Sequence, residues 1–425
     1  MANKETFSTD QEQGPVSAPA MRATFIFIVV TVALDFLAFG IIAPVLPNLI
    51  KQFEGGNMAR ASEITGYFAF AWATMQFFFS PVLGAWSDRF GRRPVILISC
   101  LGLGLDYIFM ALAPTLWWLF VGRIISGITT SNISTAFAYI ADVTPAEDRA
   151  KRYGMLGAAF GLGFVIGPAA GGLLGHYSLR APFWAAAGLS LANFLYGLFV
   201  LPESLPVQKR AKSAWHMANP LGSLTLLRSN VELSWLAVVT TINYLAHQSL
   251  PAVFVLYSEY RYGWTERGVG LALAMVGICA AVVSGGMVGP YVKRFGERSS
   301  LLSGLLFGIL GFVGMAFAPK SWAMFLAIPF IALWGVANPA MQSLMSQHVD
   351  PSSQGKLQGA INSLRALTGM VGPLIFTQVF AVAISAKALR APGAPYYLAG
   401  LMLGAALLLA AMVTNSNRLV SAQKA

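Results

Sequence analysis

The chain has 425 residues, of which 56% are hydrophobic and only 11% are charged, whereas a soluble domain carries about 25% charged residues. So few charges cannot cover the surface of soluble domains. The residues that give the net charge of +11 lie in short loops between apolar stretches. This placement is typical of a membrane protein and excludes a nucleic-acid-binding surface. Two cysteines, Cys100 and Cys279, and four scattered histidines provide neither a disulfide framework nor a metal site.

Twelve apolar stretches approach the length of about 20 residues that a helix needs to cross a bilayer. They predict an all-α integral membrane protein with spans at 24–48, 64–86, 95–113, 115–141, 152–174, 181–201, 232–256, 268–291, 299–318, 321–346, 357–385 and 394–415. One long polar connection divides the spans into two sets of six. The expected organisation is a disordered tail (1–23), a six-helix bundle (24–201), a linker (202–231), a second six-helix bundle (232–415) and a second tail (416–425).

The basic residues predict the orientation of the chain in the membrane. If both termini and the linker are cytoplasmic, 18 of the 28 Lys and Arg residues lie on the cytoplasmic side, 8 lie on the outer side and 2 lie within spans. This asymmetry follows the positive-inside rule. The first twenty residues contain no apolar core followed by a cleavage site, so they are not expected to act as a secretory signal.

The two sets of six spans repeat each other at an offset of 205 residues. The matched positions are 84–93 with 289–298, Gly154 with Gly359, and Gly167-Pro168 with Gly372-Pro373. Two duplicated six-helix halves are typical of secondary transporters, which bind substrate near the bilayer midplane between the halves. No Gly-x-x-x-x-Gly-Lys-Ser/Thr segment is present to bind a nucleotide, so the sequence argues against ATP-driven pumping.

The segment between spans two and three, GAWSDRFGRR (84–93), has the most specific local pattern. Its glycines permit tight turns, and Asp88 can interact with the positive N-terminal end of a neighbouring helix. Its arginines can pair with carboxylates at helix ends, although a purely topological basic turn would have the same composition. We expect these residues to form a cytoplasmic gate together with Asp142 and Arg365, and its members within the segment are Gly84, Asp88, Arg89, Gly91, Arg92 and Arg93.

This segment resembles the signature of the major facilitator superfamily. Other stretches resemble the drug:proton antiporters of its tetracycline-resistance subfamily, among them VALDFLAFGIIAPVLPNL (32–49), GRIISGIT (122–129), GPAAGGLLG (167–175) and QGKLQGAINSLRALTGMVGPLIFT (354–377). The similarity covers the chain except the tails and the linker. It implies the twelve-helix major facilitator fold, a small-molecule substrate exchanged for protons, no cofactor, and a bacterial inner membrane location.

Two carboxylates lie inside predicted spans, where a charge costs roughly 2.5–3.5 kcal/mol and is a functional candidate by default. The resemblance places essential acidic residues at both positions. We expect Asp35 to carry the coupling proton, and Asp106 either to assist it or to form a buried structural pair. The resemblance also assigns a function to Arg123, which can hold one of these carboxylates ionised, unless it merely extends to the outer interface.

Polar and aromatic side chains within the spans predict the substrate cavity. Its expected members are Phe36, Phe39, Gln76, Asn132, Asn243, His247, Gln248, Trp334, Asn338 and Gln342. The resemblance identifies span five as the antiporter-motif helix, with Gly163, Gly167, Pro168 and Gly171, although small residues there also serve close helix packing.

One departure concerns span nine. Tetracycline antiporters carry an acidic residue there, whereas LLSGLLFGILGFVGMAF (301–317) has no ionisable group. Recognition of a metal-chelated tetracycline is therefore open, and another amphiphilic drug or a lipid-like metabolite is an alternative substrate. We predict a monomeric proton-coupled exporter of small amphiphilic compounds in contact with membrane lipid. The alternatives are a proton-coupled symporter or facilitator for a nutrient or lipid-like metabolite, and a non-transporting sensor on the same fold.

Overall fold

The computed structural model describes residues 18–130, 132–144, 146–210, 222–350, 353–385 and 391–415. Within these ranges every regular element is helical, which confirms the predicted all-α class. The predicted tail 416–425, most of the tail 1–23 and the middle of the linker 202–231 lie outside the described residues.

The helices fall into two groups of eight. The first group is α1 (Ala18–Ile42), α2 (Leu46–Phe53), α3 (Met58–Phe90), α4 (Arg92–Leu112), α5 (Leu116–Thr129), α6 (Asn132–Val143), α7 (Ala146–Tyr177) and α8 (Ala181–Val200). The second group is α9 (Val231–His247), α10 (Ser249–Tyr262), α11 (Glu266–Val282), α12 (Val288–Phe317), α13 (Ser321–Trp334), α14 (Ala337–Ser346), α15 (Gln354–Ser385) and α16 (Ala394–Val413). Short 3₁₀ helices follow α8 at Val207–Lys209 and precede α9 at Gly222–Arg228, and a π-helical turn, Val283–Met287, joins α11 to α12.

Among the described residues, nine stretches are helical, long and apolar enough to cross a membrane. Together with the shorter apolar helices they fit the twelve predicted spans. Four of those spans, the first, fourth, seventh and tenth, are each divided into two helices, which the sequence analysis did not predict. The breaks occupy equivalent places in the two halves.

Prolines account for three of the four breaks. A proline inside a helix lacks a backbone N–H and clashes with the carbonyl group four residues earlier. Pro47, Pro251 and Pro339 stand four residues after Ala43, His247 and Gly335, where α1, α9 and α13 end or have just ended. The backbone turns tightly at each break, and the N–H of Gly335 donates to the carbonyl of Ala332 at 2.9 Å.

Each half has its own apolar core. Of the four clusters of buried apolar residues, two contain only residues of 27–201 and two only residues of 227–410. The halves meet where α7 packs on α11 and where α3 packs on α15. Glycines allow this approach, since a Cβ on Gly270 of α11 would lie 2.5 Å from the carbonyl oxygen of Pro168 in α7.

The 205-residue repeat extends to backbone conformation and to side-chain contacts. Gly91 and Gly296 both have positive φ, 105° and 75°, at the turn that precedes the third span of each half. Arg92 contacts Asp142 in the first half, and their counterparts Glu297 and Gln347 contact each other in the second. The duplicated residues have therefore kept the same neighbours while changing their chemistry.

Candidate functional site

A cavity of about 850 Å³ lies between the two halves, at the middle of the helices that face each other. The first half contributes residues of α1, α3 and α5, and the second half contributes residues of α9, α10, α14 and α15. Predicted cavity residues that line it are Phe39, Gln76, Asn243, His247, Gln248, Asn338 and Gln342. The helix breaks beside Gln248 and Asn338 open the α9–α10 and α13–α14 spans towards this space, as in transporters whose discontinuous helices form the substrate site.

The wall of the second half is a hydrogen-bonded polar network. Asn243 donates through Nδ2 to Oδ1 of Asn338 at 2.9 Å and accepts at Oδ1 from Nε1 of Trp334 at 2.8 Å. The ring of His247 packs against the indole of Trp334, with centroids 5.6 Å apart. Trp334 is 4% exposed and is absent from the cavity lining, so its predicted place on the surface of the cavity is wrong and it supports the wall from behind.

The wall of the first half combines an aromatic surface with a cation. The indole of Trp72 stacks on Phe39 with centroids 5.9 Å apart, and the guanidinium of Arg123 lies 5.5 Å from the Trp72 ring centroid. A cation over the face of an indole is attracted by the quadrupole of the ring. Trp72 was not predicted, because an aromatic residue in an apolar helix has no distinguishing sequence pattern.

Arg123 lies next to Asp106 in the interior of the first half. Arg123 is 8% exposed and Asp106 is 2% exposed, and the two groups interact electrostatically without an ion pair within 4.0 Å. Both carboxylate oxygens of Asp106 are buried without a hydrogen-bond partner among the described residues. A Cβ at Gly122 would lie 3.0 Å from Oδ1 of Asp106, so glycine at this position leaves room for the carboxylate beside the arginine.

Asp35 occupies a neighbouring but different environment. Its Oδ1 accepts a 3.0 Å hydrogen bond from Nδ2 of Asn193, which also donates to the carbonyl oxygen of Thr31 at 3.0 Å. Asp35 does not line the cavity, although the buried phenol of Tyr107 is within electrostatic range of Asp35, Asp106 and Arg123 alike. The three residues predicted for proton coupling therefore surround one side chain, while only Arg123 reaches the cavity.

The basic segment at the end of α3 forms a network inside the first half. Arg92 donates to Oδ1 of Asp88 at 2.5 Å and to Oδ2 of Asp142 at 3.0 Å. Asp88 does not cap the next helix as expected. The N-terminal end of α4 is capped by Glu203 instead. The carboxylate oxygens of Glu203 accept hydrogen bonds from the backbone N–H groups of Arg92 at 2.8 Å and Arg93 at 3.3 Å.

Glu203 was not predicted as part of this network, because it lies in the predicted linker and far from α4 in the chain. Glycine at position 91 leaves room for the Glu203 carboxylate, since a Cβ there would lie 2.7 Å from Cδ of Glu203. Ser204 adds a 3.1 Å hydrogen bond to Asp142. The network thus includes the start of the linker and remains within one half in this conformation.

Two other predicted residues, Arg365 and Phe36, are not brought to the expected sites. Arg365 lines the cavity and does not join the network around Arg92, so its assignment to the cytoplasmic gate is replaced by a place on the cavity wall. Phe36 lies in the interface between α1 and α7, against Gly163, and does not line the cavity. The side chain of Asn132 lies outside the part of the chain that the structure describes.

The predicted antiporter-motif helix packs closely on α1. A Cβ at Gly163 would lie 2.7 Å from Cβ of Phe36, and one at Gly167 would lie 2.7 Å from Cα of Gly40. Gly171 meets the backbone of Ile41 in the same way. These glycines let α7 contact α1 closely. On another face of α7, Pro168 and Gly172 approach Gly270 of α11 in the other half.

Among the described residues, three polar contacts link the two halves, and they lie at one end of the bundle. Lys51 forms an ion pair with Glu259, Nδ2 of Asn48 donates to Glu266 at 2.9 Å, and the hydroxyl of Ser62 donates to the carbonyl oxygen of Thr377 at 2.9 Å. At the opposite end, Gly84 and Gly289 have no atom within 4 Å of an added Cβ. The cavity is therefore closed at the end that carries Lys51.

Comparisons with known proteins agree with this architecture. The family model described as Major Facilitator Superfamily matches residues 28–373. The class C tetracycline resistance protein of Escherichia coli is 42% identical over 360 residues, which are 85% of this chain and 90% of that protein. The class E protein of the same organism is 38% identical over 85% of this chain and 88% of its own length. A crystal structure of a nucleoside transporter superposes with a TM-score of 0.77 over 92% of this chain and 100% of its own, at 13% identity, which supports the fold alone.

Proposed function

The chain belongs to the major facilitator superfamily, and we propose that it exports small amphiphilic compounds across a bacterial inner membrane in exchange for protons. Membership makes it a multi-pass membrane transporter that works by alternating access, and not an enzyme. Tetracycline is the first compound to test, because relatives that are named tetracycline resistance proteins match most of the chain.

The observation that carries this proposal is the cavity between two halves whose polar contacts, among the described residues, lie at one end of the bundle. Alternating access requires a central site, two bodies with separate cores, and contacts that form and break at each end. Here the site is lined by both halves, and each half has its own buried core. We propose that residues 24–201 rock against residues 232–415 about this cavity.

The proposed topology places both termini and the linker in the cytoplasm, so the closed end with Lys51 and Glu259 faces outward. The conformation is then inward-open, and an amphiphile enters the cavity from the cytoplasm or the inner leaflet. The Arg92 network keeps α3, α4 and α6 together as a unit of the first half. We propose that this unit meets the second half only when the cytoplasmic end closes.

Proton coupling is proposed at Asp106 and Arg123. A carboxylate with no hydrogen-bond partner inside a membrane protein is expensive to ionise, whereas the neighbouring guanidinium favours the ionised form. Protonation of Asp106 would leave Arg123 without a compensating charge at the edge of the cavity. The two protonation states therefore give the cavity two electrostatic environments, which is the two-state element that coupling requires.

The test is transport of tetracycline into proteoliposomes with an imposed pH gradient. We expect accumulation that depends on the gradient and disappears with an uncoupler, whereas protein-free liposomes show none. Exchange of labelled for unlabelled tetracycline without a gradient measures the carrier apart from its coupling. Uptake that ignores the gradient would indicate a facilitator, and uptake in the same direction as the protons would indicate a symporter.

A further inference from the structure

The described lining of the cavity contains two charged side chains, Arg123 and Arg365, and no carboxylate. Arg123 belongs to the first half, where Asp106 lies behind it and partly compensates its charge. Arg365 belongs to α15 of the second half and is exposed in the open cavity. Among the described residues no carboxylate lies within 4.0 Å of its guanidinium, so its charge faces the cavity without an acidic partner.

Resting on the function proposed above, we propose that the transported compound is an amphiphilic anion whose acidic group binds to Arg365. A guanidinium presents a planar set of N–H donors that matches a carboxylate, sulfonate or enolate in two parallel hydrogen bonds. Inside a partly dehydrated cavity this contact is stronger than in water, and a cation in the same place is repelled. The acidic group of the substrate therefore pairs with Arg365, which has no carboxylate partner among the described residues of the protein.

The other walls of the cavity suit the rest of such a molecule. The amide groups of Asn338 and Gln248 line the cavity on the same half as Arg365 and offer hydrogen bonds to other polar groups of a bound molecule. The opposite wall includes Phe39, Trp72, Phe77 and Pro81, which offer an apolar surface. A compound with an acidic head and a flat apolar body would be bound between the two halves.

The same charge distribution disfavours a cationic metal chelate. Neutralising a bound cation would require a carboxylate at the cavity surface, and Asp35 and Asp106 do not reach it. Among the described residues no cluster of three or more His, Cys, Asp or Glu residues is placed to hold a metal ion. We therefore expect an acidic compound to bind as the metal-free anion.

Binding of three pyrene probes to the purified full-length protein tests the proposal. The probes are 1-pyrenebutanoate, its uncharged amide and 4-(1-pyrenyl)butylammonium, which share one apolar body and differ in charge. Energy transfer from tryptophan, including Trp72 in the cavity wall, reports occupancy. We expect the carboxylate to bind at least tenfold more tightly than the amide and the ammonium to bind most weakly.

Variants of Arg365 assign the preference to this side chain. Arg365→Gln should reduce the ratio of carboxylate to amide affinity about tenfold, and Arg365→Lys should restore part of that ratio. Arg228→Gln removes one charge from an exposed position in the linker and should leave the ratio as it is in the wild type. Equal affinities in the wild-type protein, a preference for the ammonium, or a ratio unaffected by Arg365→Gln would each overturn the proposal.

Flux measurements separate this proposal from the transport function on which it rests. In proteoliposomes with a pH gradient, accumulation of the probes without preference for the carboxylate would refute the anion site and leave proton-driven export intact. If the flux of all three probes is independent of the pH gradient while the carboxylate still binds tightly through Arg365, proton-driven export would be refuted and the anion site would stand. Thermal unfolding of each variant in detergent establishes that a lost preference does not reflect a lost fold.

Discussion

Lys51 and Glu259 form an ion pair between the two halves, at the end of the bundle where the cavity is closed. Lys51 lies in α2 and Glu259 in α10, and their side chains are 24% and 21% exposed. Asn48 and Glu266 make a second link one helical turn away. These contacts must break before the cavity can open at this end, so they contribute to the energy difference between the two conformations.

Removing this ion pair should favour the conformation that opens at the Lys51 end. A partly exposed pair contributes about 1 kcal/mol or less, which changes a two-state equilibrium by up to roughly fivefold. We expect Lys51→Gln to lengthen spin-label distances across this end, and the exchanged pair Lys51→Glu with Glu259→Lys to shorten them again. Arg60→Gln is the control, since it breaks an ion pair within α3. Unchanged distances in Lys51→Gln would show that the pair does not hold the closed end.

The two intramembrane carboxylates should respond differently to neutralisation. Asp106 lacks hydrogen bonds and lies beside Arg123, so Asp106→Asn mimics its protonated form and should abolish gradient-driven accumulation while exchange continues. Asp35 is held by Asn193, and Asp35→Asn should give a milder defect. Flux with and without a pH gradient measures both effects. A more severe defect in Asp35→Asn than in Asp106→Asn would instead assign the coupling proton to Asp35, as predicted from the sequence.

The Arg92 network should affect transport more than substrate binding. Asp88→Asn removes one acceptor of Arg92, and Glu203→Gln weakens the cap of α4, which is worth about 1 kcal/mol. Both variants should lower the transport rate several-fold and leave the affinity for tetracycline within about twofold of the wild type. Glu63→Gln is a suitable control, because it removes a carboxylate from an exposed pair far from the network. Loss of affinity along with rate would contradict a gating role.

The topology can be tested by labelling single cysteines in intact cells, with Cys100 and Cys279 replaced by alanine. Val207→Cys lies at the start of the linker on an exposed residue and should resist a membrane-impermeant thiol reagent. Gln52→Cys lies at the end of α2, on the opposite side, and should react readily. Reaction at position 207 in intact cells, without reaction at position 52, would invert the proposed orientation.

Much of the fold was predictable because it depends on local chemistry. Apolar length predicted the spans, the distribution of Lys and Arg predicted an orientation, and the 205-residue repeat predicted two halves. The repeat proved accurate in detail, because Gly91 and Gly296 share a positive φ that follows from their equivalent turns. The breaks at Gln248 and Gly335 were not predicted, although Pro251 and Pro339 follow them, because the apolar stretch continues across each break and hydropathy does not report backbone geometry.

The sequence by itself determined which residue types are available inside the membrane: two carboxylates, two arginines and a set of amides. It did not determine their partners, because a partner depends on which helix faces which across hundreds of residues. Only the tertiary structure placed Asp106 beside Arg123, Asp35 against Asn193, and Glu203 at the start of α4. It also placed Arg365 in the cavity and not in the expected cytoplasmic gate. The packing of a long helix on its neighbours decides which way each of its side chains points.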